Sequence, residues 1–222
     1  MNEIVTTPVF LLFVGVTFLL TLGYFWGRRR NQKVFLDAFN DLVGVVKPDD
    51  QTFTNIGGVV GYHANFYIKN KSPVTRVDAT ITLLPRHSWL YLPVSYLIMR
   101  YDRLFITFYV KPRMPGEGHL IETGYARFRG PKITNEQRLN RETVQWGTHD
   151  FHLYYESIKV RDHFIKFVSS NPDPGIIRHI AFIPEQKKGF VFMLPRRGMV
   201  ARYFQPIYQW IPSFLARESG KS

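Results

Sequence analysis

The residues from Pro8 to Trp26, PVFLLFVGVTFLLTLGYFW, carry no charge and are followed at once by Gly27-Arg28-Arg29-Arg30. A helix needs roughly 20 apolar residues, at about 1.5 Å rise each, to cross a hydrocarbon core of about 30 Å. This run of 19 residues meets that length. A cleaved secretory signal would begin with a positive segment, hold a shorter apolar stretch and end in small residues. Residues 1–7 contain Glu3 and no Lys or Arg, and the run ends in Tyr-Phe-Trp. The expectation is therefore a retained, single-pass anchor. Arg28, Arg29, Arg30 and Lys33 hold its C-terminal flank in the cytosol by positive-inside bias, leaving the N-terminus outside. Trp26 then joins Tyr24 and Phe25 in an aromatic belt at the cytosolic interface. Thr17 and Thr21 share a helical face near Gly15. That pattern either suits a helix–helix contact or is ordinary for a span.

The rest of the chain suits one domain on size. Its charge is informative: 29 Lys and Arg against 17 Asp and Glu give the chain +12. That exceeds what solubility requires and favours anionic partners, either RNA or acidic lipid headgroups. Cysteine is absent, which removes disulfides, thiolate zinc sites and iron–sulfur ligation and agrees with a cytosolic domain. Aromatic and β-branched residues are frequent, so strands should dominate.

Asn31 to Val46 places Val34, Phe35, Ala38, Phe39, Leu42, Val43 and Val46 at helical spacing, with Asp37 and Asp41 opposite. This predicts a separate amphipathic helix, N-capped by Asn31 and stopped at Lys47-Pro48. Its weakly charged polar face favours packing on the domain over lying on headgroups. Residues 51–69 read as two strands about a Gly57-Gly58 turn, and 70–73 as a second turn. From Val74 to Leu84 apolar and polar residues alternate, the mark of a half-buried strand antiparallel to its predecessor. Arg86 to Tyr101, RHSWLYLPVSYLIMRY, is an apolar block with basic ends, too short to span a bilayer. The preferred reading is a buried core helix. The alternative is an element dipping into the membrane through Trp89, Leu90, Leu92 and Leu97.

Arg103 to Lys111 is the clearest strand, expected to form a hairpin with His119 to Arg127. Phe128 to Thr143 reads as a basic loop, and Val144 to Glu156 as strand. Ser157 to Ser170 reads as an amphipathic helix with Ile158, Phe164, Ile165 and Val168 inward. Ile176 to Ile183 and Phe190 to Leu194 form a last hairpin. Gly198 to Arg217 has apolar residues at helical spacing, but Pro206 and Pro212 are expected to break it into short pieces. With Tyr208 and Trp210 it reads either as a segment returning to the membrane or as a helix packed across the sheet. The expected fold class is α+β: one N-terminal transmembrane helix, then a mostly antiparallel sheet with a few packed helices. Boundaries fall at 1–27 for tail and span, 28–50 for the basic juxtamembrane segment and amphipathic helix, 51–217 for the cytosolic domain, and 218–222 for a tail.

Catalytic signatures are missing: there is no G-x-x-x-x-G-K-[ST], no G-x-S-x-G and no H-E-x-x-H. His149 and His152 are the one close histidine pair, and three residues apart on a strand they point to opposite faces. No catalytic, cofactor or metal residue is assigned. Basic clusters are the stronger signal. They comprise Arg28 to Lys33; Arg127, Arg129 and Lys132; Arg138 and Arg141; Lys187 and Lys188; and Arg196 and Arg197, with Arg202 beyond. These are candidate contacts for RNA or anionic lipid.

The layout resembles the coiled-coil-containing subunit of the PAT chaperone complex, part of the multipass translocon beside the Sec channel. The shared pattern is a single span, then Gly27-Arg28-Arg29-Arg30-Asn31, then a short helix at Val34 to Val43. After it come a strand–helix–strand unit over Thr80 to Leu84, Trp89 to Met99 and Arg103 to Val110, and Phe190-Val191-Phe192-Met193-Leu194-Pro195 before an aromatic helix. The resemblance implies a non-catalytic factor that binds ribosome and translocon and shields nascent multipass segments. It is a resemblance to a short version, because eukaryotic members carry a long acidic region before the span and a basic coiled-coil tail. The expected role is thus a membrane-anchored binding protein in membrane-protein biogenesis. Its expected partners are the Sec channel, ribosomal RNA and anionic lipid, in the cell membrane or, in a eukaryote, the endoplasmic reticulum. The alternatives are a structural single-span subunit of a respiratory or transport complex, or a membrane-tethered enzyme.

Overall fold

One helix, α1 (Pro8–Val46), runs without a break from the apolar segment into the domain. At 1.5 Å per residue it is about 58 Å long. The structure is a computed structural model describing residues 7–69, 72–130, 133–134 and 136–216. The separate amphipathic helix expected after Arg30 is instead the second half of α1, and Asn31 is no N-cap. Asn31 is buried in mid-helix, its side chain bonded to other parts of the chain. That removes the local competition with the backbone that makes Asn a helix starter. Thr17 and Thr21 return their hydroxyls to the carbonyls of Phe13 and Thr17, satisfying them within the helix. The stop at Lys47 is as expected, with a left-handed residue (φ 49°) whose N–H reaches Val43 O.

Among the described residues nine antiparallel strands form one sheet: β1 (Asp50–Asn55), β2 (Gly61–Tyr67), β3 (Val74–Thr82), β4 (Arg103–Val110), β5 (Gly118–Glu122), β6 (Asn140–Trp146), β7 (His149–Tyr155), β8 (Ile177–Ile183) and β9 (Lys188–Met193). Their spatial order is β1-β2-β3-β4-β9-β8-β5-β7-β6. The α+β class is as expected. The β4–β5 hairpin is not: the β8–β9 hairpin lies between these two strands, joining the β1–β4 meander to the second half. Register explains the fit. Gly189 faces Phe108, where any Cβ would collide with the ring. Gly118 lies under Val160 and Phe164 of the helix above it.

Five α-helices complete the fold among the described residues. α2 (Leu92–Ile98) sits between β3 and β4, and α3 (Thr123–Arg129) follows β5. α4 (Ile158–Ser170) starts on the Ser157 hydroxyl, which accepts from Val160 N–H. α5 (Val200–Leu215) ends the described chain. The strand expected over His119 to Arg127 therefore ends at Glu122. The basic loop expected over 128–143 becomes the end of α3, a short turn of 3-10 helix at Glu136–Arg138 and the start of β6. Phe164 and Val168 of α4 point inward as expected, whereas Ile158 is exposed.

The C-terminal half of α1, α4 and α5 share one face of the sheet, with Ala38, Phe39, Leu42, Phe164, Phe167, Phe204 and Phe214 in a single apolar core. Pro206 and Pro212 do not break α5. An interior proline costs about 3 kcal/mol or more, but seven of the sixteen residues of α5, all on one stripe, are buried. At about 1.5–3 kcal/mol per large apolar side chain, that burial outweighs two lost hydrogen bonds. Trp210 stacks on Phe167 (centroids 4.4 Å apart) and Phe214 on Phe182 (3.8 Å). Tyr208 and Trp210 thus pack against the core, and the packed-helix reading holds over a return to the membrane.

Candidate functional site

The segment between β3 and β4 is fastened to α1 at the C-terminal end of its apolar run. Gly23 lies against the indole of Trp89, and Gly27 against the backbone of Arg86 and His87; a Cβ at either position would collide. Four residues on, the Asn31 amide donates to Leu84 O (2.8 Å) and Val59 O (3.2 Å). Its oxygen accepts from Arg86 Nη1 at 2.9 Å. Arg86 also makes a two-point pair with Asp102, at 3.0 and 2.7 Å, and Asp102 accepts the Leu84 N–H at 2.8 Å. Arg86 and Asp102 therefore close the neck of the 86–102 excursion and tie it to α1 through one buried polar network. Both terminal nitrogens of the guanidinium are bonded in this way, while Arg86 Nε is buried without a hydrogen-bond partner among the described residues; pairing of this kind offsets much of the cost of taking charged groups out of water.

Above the neck the excursion is apolar and uncovered. Leu90 is 79% exposed and Leu97 84%, and Trp89, Tyr91, Val94, Tyr96 and Ile98 are also exposed. This overturns the buried core helix. An apolar run that is hydrophobic nearly all round gives the sheet no distinct face to bury, and Gly23 and Gly27 dock it beside the equally exposed apolar half of α1. The two together form one continuous apolar surface, far larger than the scattered apolar residues of an ordinary soluble surface. Among the described residues α1 is the one helix long and apolar enough to cross a membrane. Leu92 is half-buried at the start of α2, and Trp26 is exposed with Arg30 stacked 5.3 Å from its ring centre.

Behind α2 lies a cavity of about 610 Å³. Arg86, Arg100, Arg103, Arg178 and Arg196 line it, with Asp102 and Glu122 as its carboxylates. Tyr96, Tyr125 and Phe192 give it an aromatic wall. Glu122 caps α3, accepting from Tyr125 N–H (3.1 Å), and stands 3.8 Å from Arg178 Nε. Arg178 donates to the carbonyls of Gly175 and Ile177. Burial pushes its guanidinium below the ordinary value; Glu122 opposes this and the charge of Arg196 adds to it.

The basic clusters do not form one patch. Strand register puts Thr82, Arg103, Glu122 and Met193 at the α2 end of the sheet, and Val74, Val110, Lys188 and Asn140 at the opposite end. Arg28, Arg29, Arg30 and Lys33 are exposed on α1 near α2. Arg196 and Arg197 follow β9 at that end, and Arg197 pairs with Asp37 at 2.5 Å, fastening its loop to α1. Arg127 is exposed on α3, which Arg129 ends; Lys132 lies outside the described residues. Arg138, Arg141, Lys187 and Lys188 belong to the far end, where Arg141 meets His152 (3.0 Å) and stacks near Tyr154. His149 lies 3.6 Å from Glu122, well apart in role from His152. Among the described residues no group of three or more His, Cys, Asp or Glu could hold a metal.

Asn31, Arg86, Asp102, Arg100, Arg103 and Arg178 escape a reading of the sequence as functional residues. The one local signal is that opposite charges, Arg86 and Asp102, bracket the apolar block. Compared with protein-family models and with curated proteins, the chain matches none.

Proposed function

We propose that this is a single-pass membrane protein whose cytosolic domain assists membrane-protein biogenesis as a non-catalytic binding factor at the translocon. The observation that carries this reading is the apolar surface shared by α1 and the 89–98 segment. With α1 spanning, Gly23 lies about 4.5 Å inside the level of Trp26, so Trp89, packed on Gly23, sits in the cytosolic leaflet. Leu90, Leu97 and Ile98 then present an apolar ledge to lipid or to another transmembrane helix, with a rigid polar neck beneath. The surface suits a factor that holds apolar segments at the bilayer. Arg138, Arg141, Lys187 and Lys188, at the far end of the sheet, are the cations that would meet ribosomal RNA approaching from the cytosol.

Purification from native membranes in mild detergent tests this, with and without nuclease and across a salt series. Ribosomes and Sec channel should co-purify, the ribosomes being lost with salt. A photo-crosslinker at Leu97 should capture newly made transmembrane segments. A fixed set of membrane subunits, indifferent to nuclease and salt, would establish a structural subunit of a larger complex instead.

A further inference from the structure

The cavity behind α2 has a chemistry that apolar clients and RNA leave unused. Five guanidinium groups face two carboxylates, and those carboxylates are engaged: Asp102 with Arg86, and Glu122 with the α3 cap beside Arg178 and His149. Arg100 and Arg196 have no carboxylate partner among the described residues. Arg100 also holds a left-handed backbone (φ 64°), a conformation that costs a residue with a Cβ roughly 1 kcal/mol and collects at functional positions. It does so at the turn from α2 into β4, on the cavity wall. The volume falls within the range of about 300–1,000 Å³ of small-ligand sites, and aromatic walls with a few convergent charges are their usual make-up.

We propose that this cavity binds a phosphate ester, the headgroup of an anionic membrane lipid, with Arg100 and Arg196 as the phosphate contacts. The proposal rests on the membrane reading above, which supplies the access. One wall is α2, whose outer side carries Leu97 and Ile98, so acyl chains can follow α2 into the leaflet while the phosphate enters among the arginines. Guanidinium groups bind phosphate through paired, charge-assisted hydrogen bonds. The bound lipid would fill the space between α2 and the sheet and set the depth of the ledge.

The test uses the full chain in nanodiscs of phosphatidylcholine doped with phosphatidylglycerol, read by native mass spectrometry and by displacement of a fluorescent phosphatidylglycerol. Phosphatidylglycerol should be preferred, and Arg100→Gln with Arg196→Gln should weaken it about tenfold or more. Lys187→Gln with Lys188→Gln, at the far end of the sheet, should leave it unchanged. Arg196→Glu alone, at an exposed position, gives the same readout if the double variant misfolds. Equal binding of the two lipids, or equal loss in the lysine variant, would overturn the site. Displacement by glycerol phosphate at the same concentration as the lipid would assign a soluble phosphate ester instead, and displacement by an oligoribonucleotide would assign RNA. Carbonate extraction separates the two readings: release of the chain from native membranes sinks the membrane reading, whereas retention without lipid preference sinks the cavity alone.

Discussion

The 86–102 excursion and α5 are both short, aromatic, proline-containing and strongly apolar, yet they end in opposite environments. α5 is buried along its whole stripe, from Val200 to Leu215. The excursion is held at its neck, by Asn31, Arg86 and Asp102, and where Trp89 packs on Gly23, and it exposes its tip. What separates them is pattern. Apolar residues of α5 recur at helical spacing with Arg202, Gln205 and Gln209 on the other side, so one face can meet the sheet. Residues 89–98 are apolar on every side but that of Ser95, the one residue of α2 that is buried, and an element apolar nearly all round belongs in a deep core or in lipid. A single sheet already covered by three helices has no deep core left to offer.

The comparison breaks most sharply where each region is fastened. Phe214→Ala should destabilise the whole domain by about 3–5 kcal/mol, visible as a lower midpoint in thermal unfolding in detergent. Asp102→Ala should cost about as much, roughly 3–5 kcal/mol, because it strands the Arg86 charge. Its signature should be local, with faster hydrogen exchange and proteolysis within 86–102 and little change around α5. An unaltered exchange pattern in that segment would refute the neck.

The sheet that carries α5 on Phe182 buries His179 on its reverse side, 3.4 Å from His119, which in turn bonds Glu117. Burial, then the His119 charge, pushes His179 well below the ordinary 6.5. The unfolded chain therefore binds a proton that the folded one does not. Stability is full above about 6.5 and falls as the pH drops below it, by at most about 1.4 kcal/mol per pH unit for one proton. His179→Gln should flatten the fall in melting temperature between about pH 7 and 5.

Smaller effects sharpen the same contrast. α5 has no cap of its own from Met199; Asp41 of α1 supplies one, accepting Ala201 N–H at 3.0 Å. Asp41→Ala should cost about 1 kcal/mol, measured by chemical denaturation, and should loosen α1 from α5. Leu97→Ser should change stability in detergent by less than about 0.5 kcal/mol. In bilayers it should instead reduce quenching of Trp89 by brominated lipid.

Local patterns made much of the fold legible. The Gly57-Gly58 turn, the alternation from Val74, the amphipathic period from Ser157 to Ser170 and the β8–β9 hairpin are each written within a few residues, where steric preference and hydrogen bonding act at short range. The candidate site was legible only in part. Trp89, Leu90 and Leu97 stand out as apolar, but their exposure depends on where Gly23 and Gly27 dock the segment. Asn31 looks like a cap until Leu84 and Val59 present carbonyls to it, and the cavity arginines come from segments as distant as Arg100 and Arg196.

By itself the sequence determined an apolar N-terminal helix of membrane-crossing length, a basic antiparallel α+β domain and the elements whose caps and periods are local. Tertiary structure alone decided that the helix continues unbroken to Val46, that β9 and not β5 pairs with β4, and that two prolines survive in α5. It also decided that the apolar block lies outside the core. In each case the deciding energy comes from contacts between residues far apart in the chain, and such contacts leave no period, cap or motif in any one stretch of sequence.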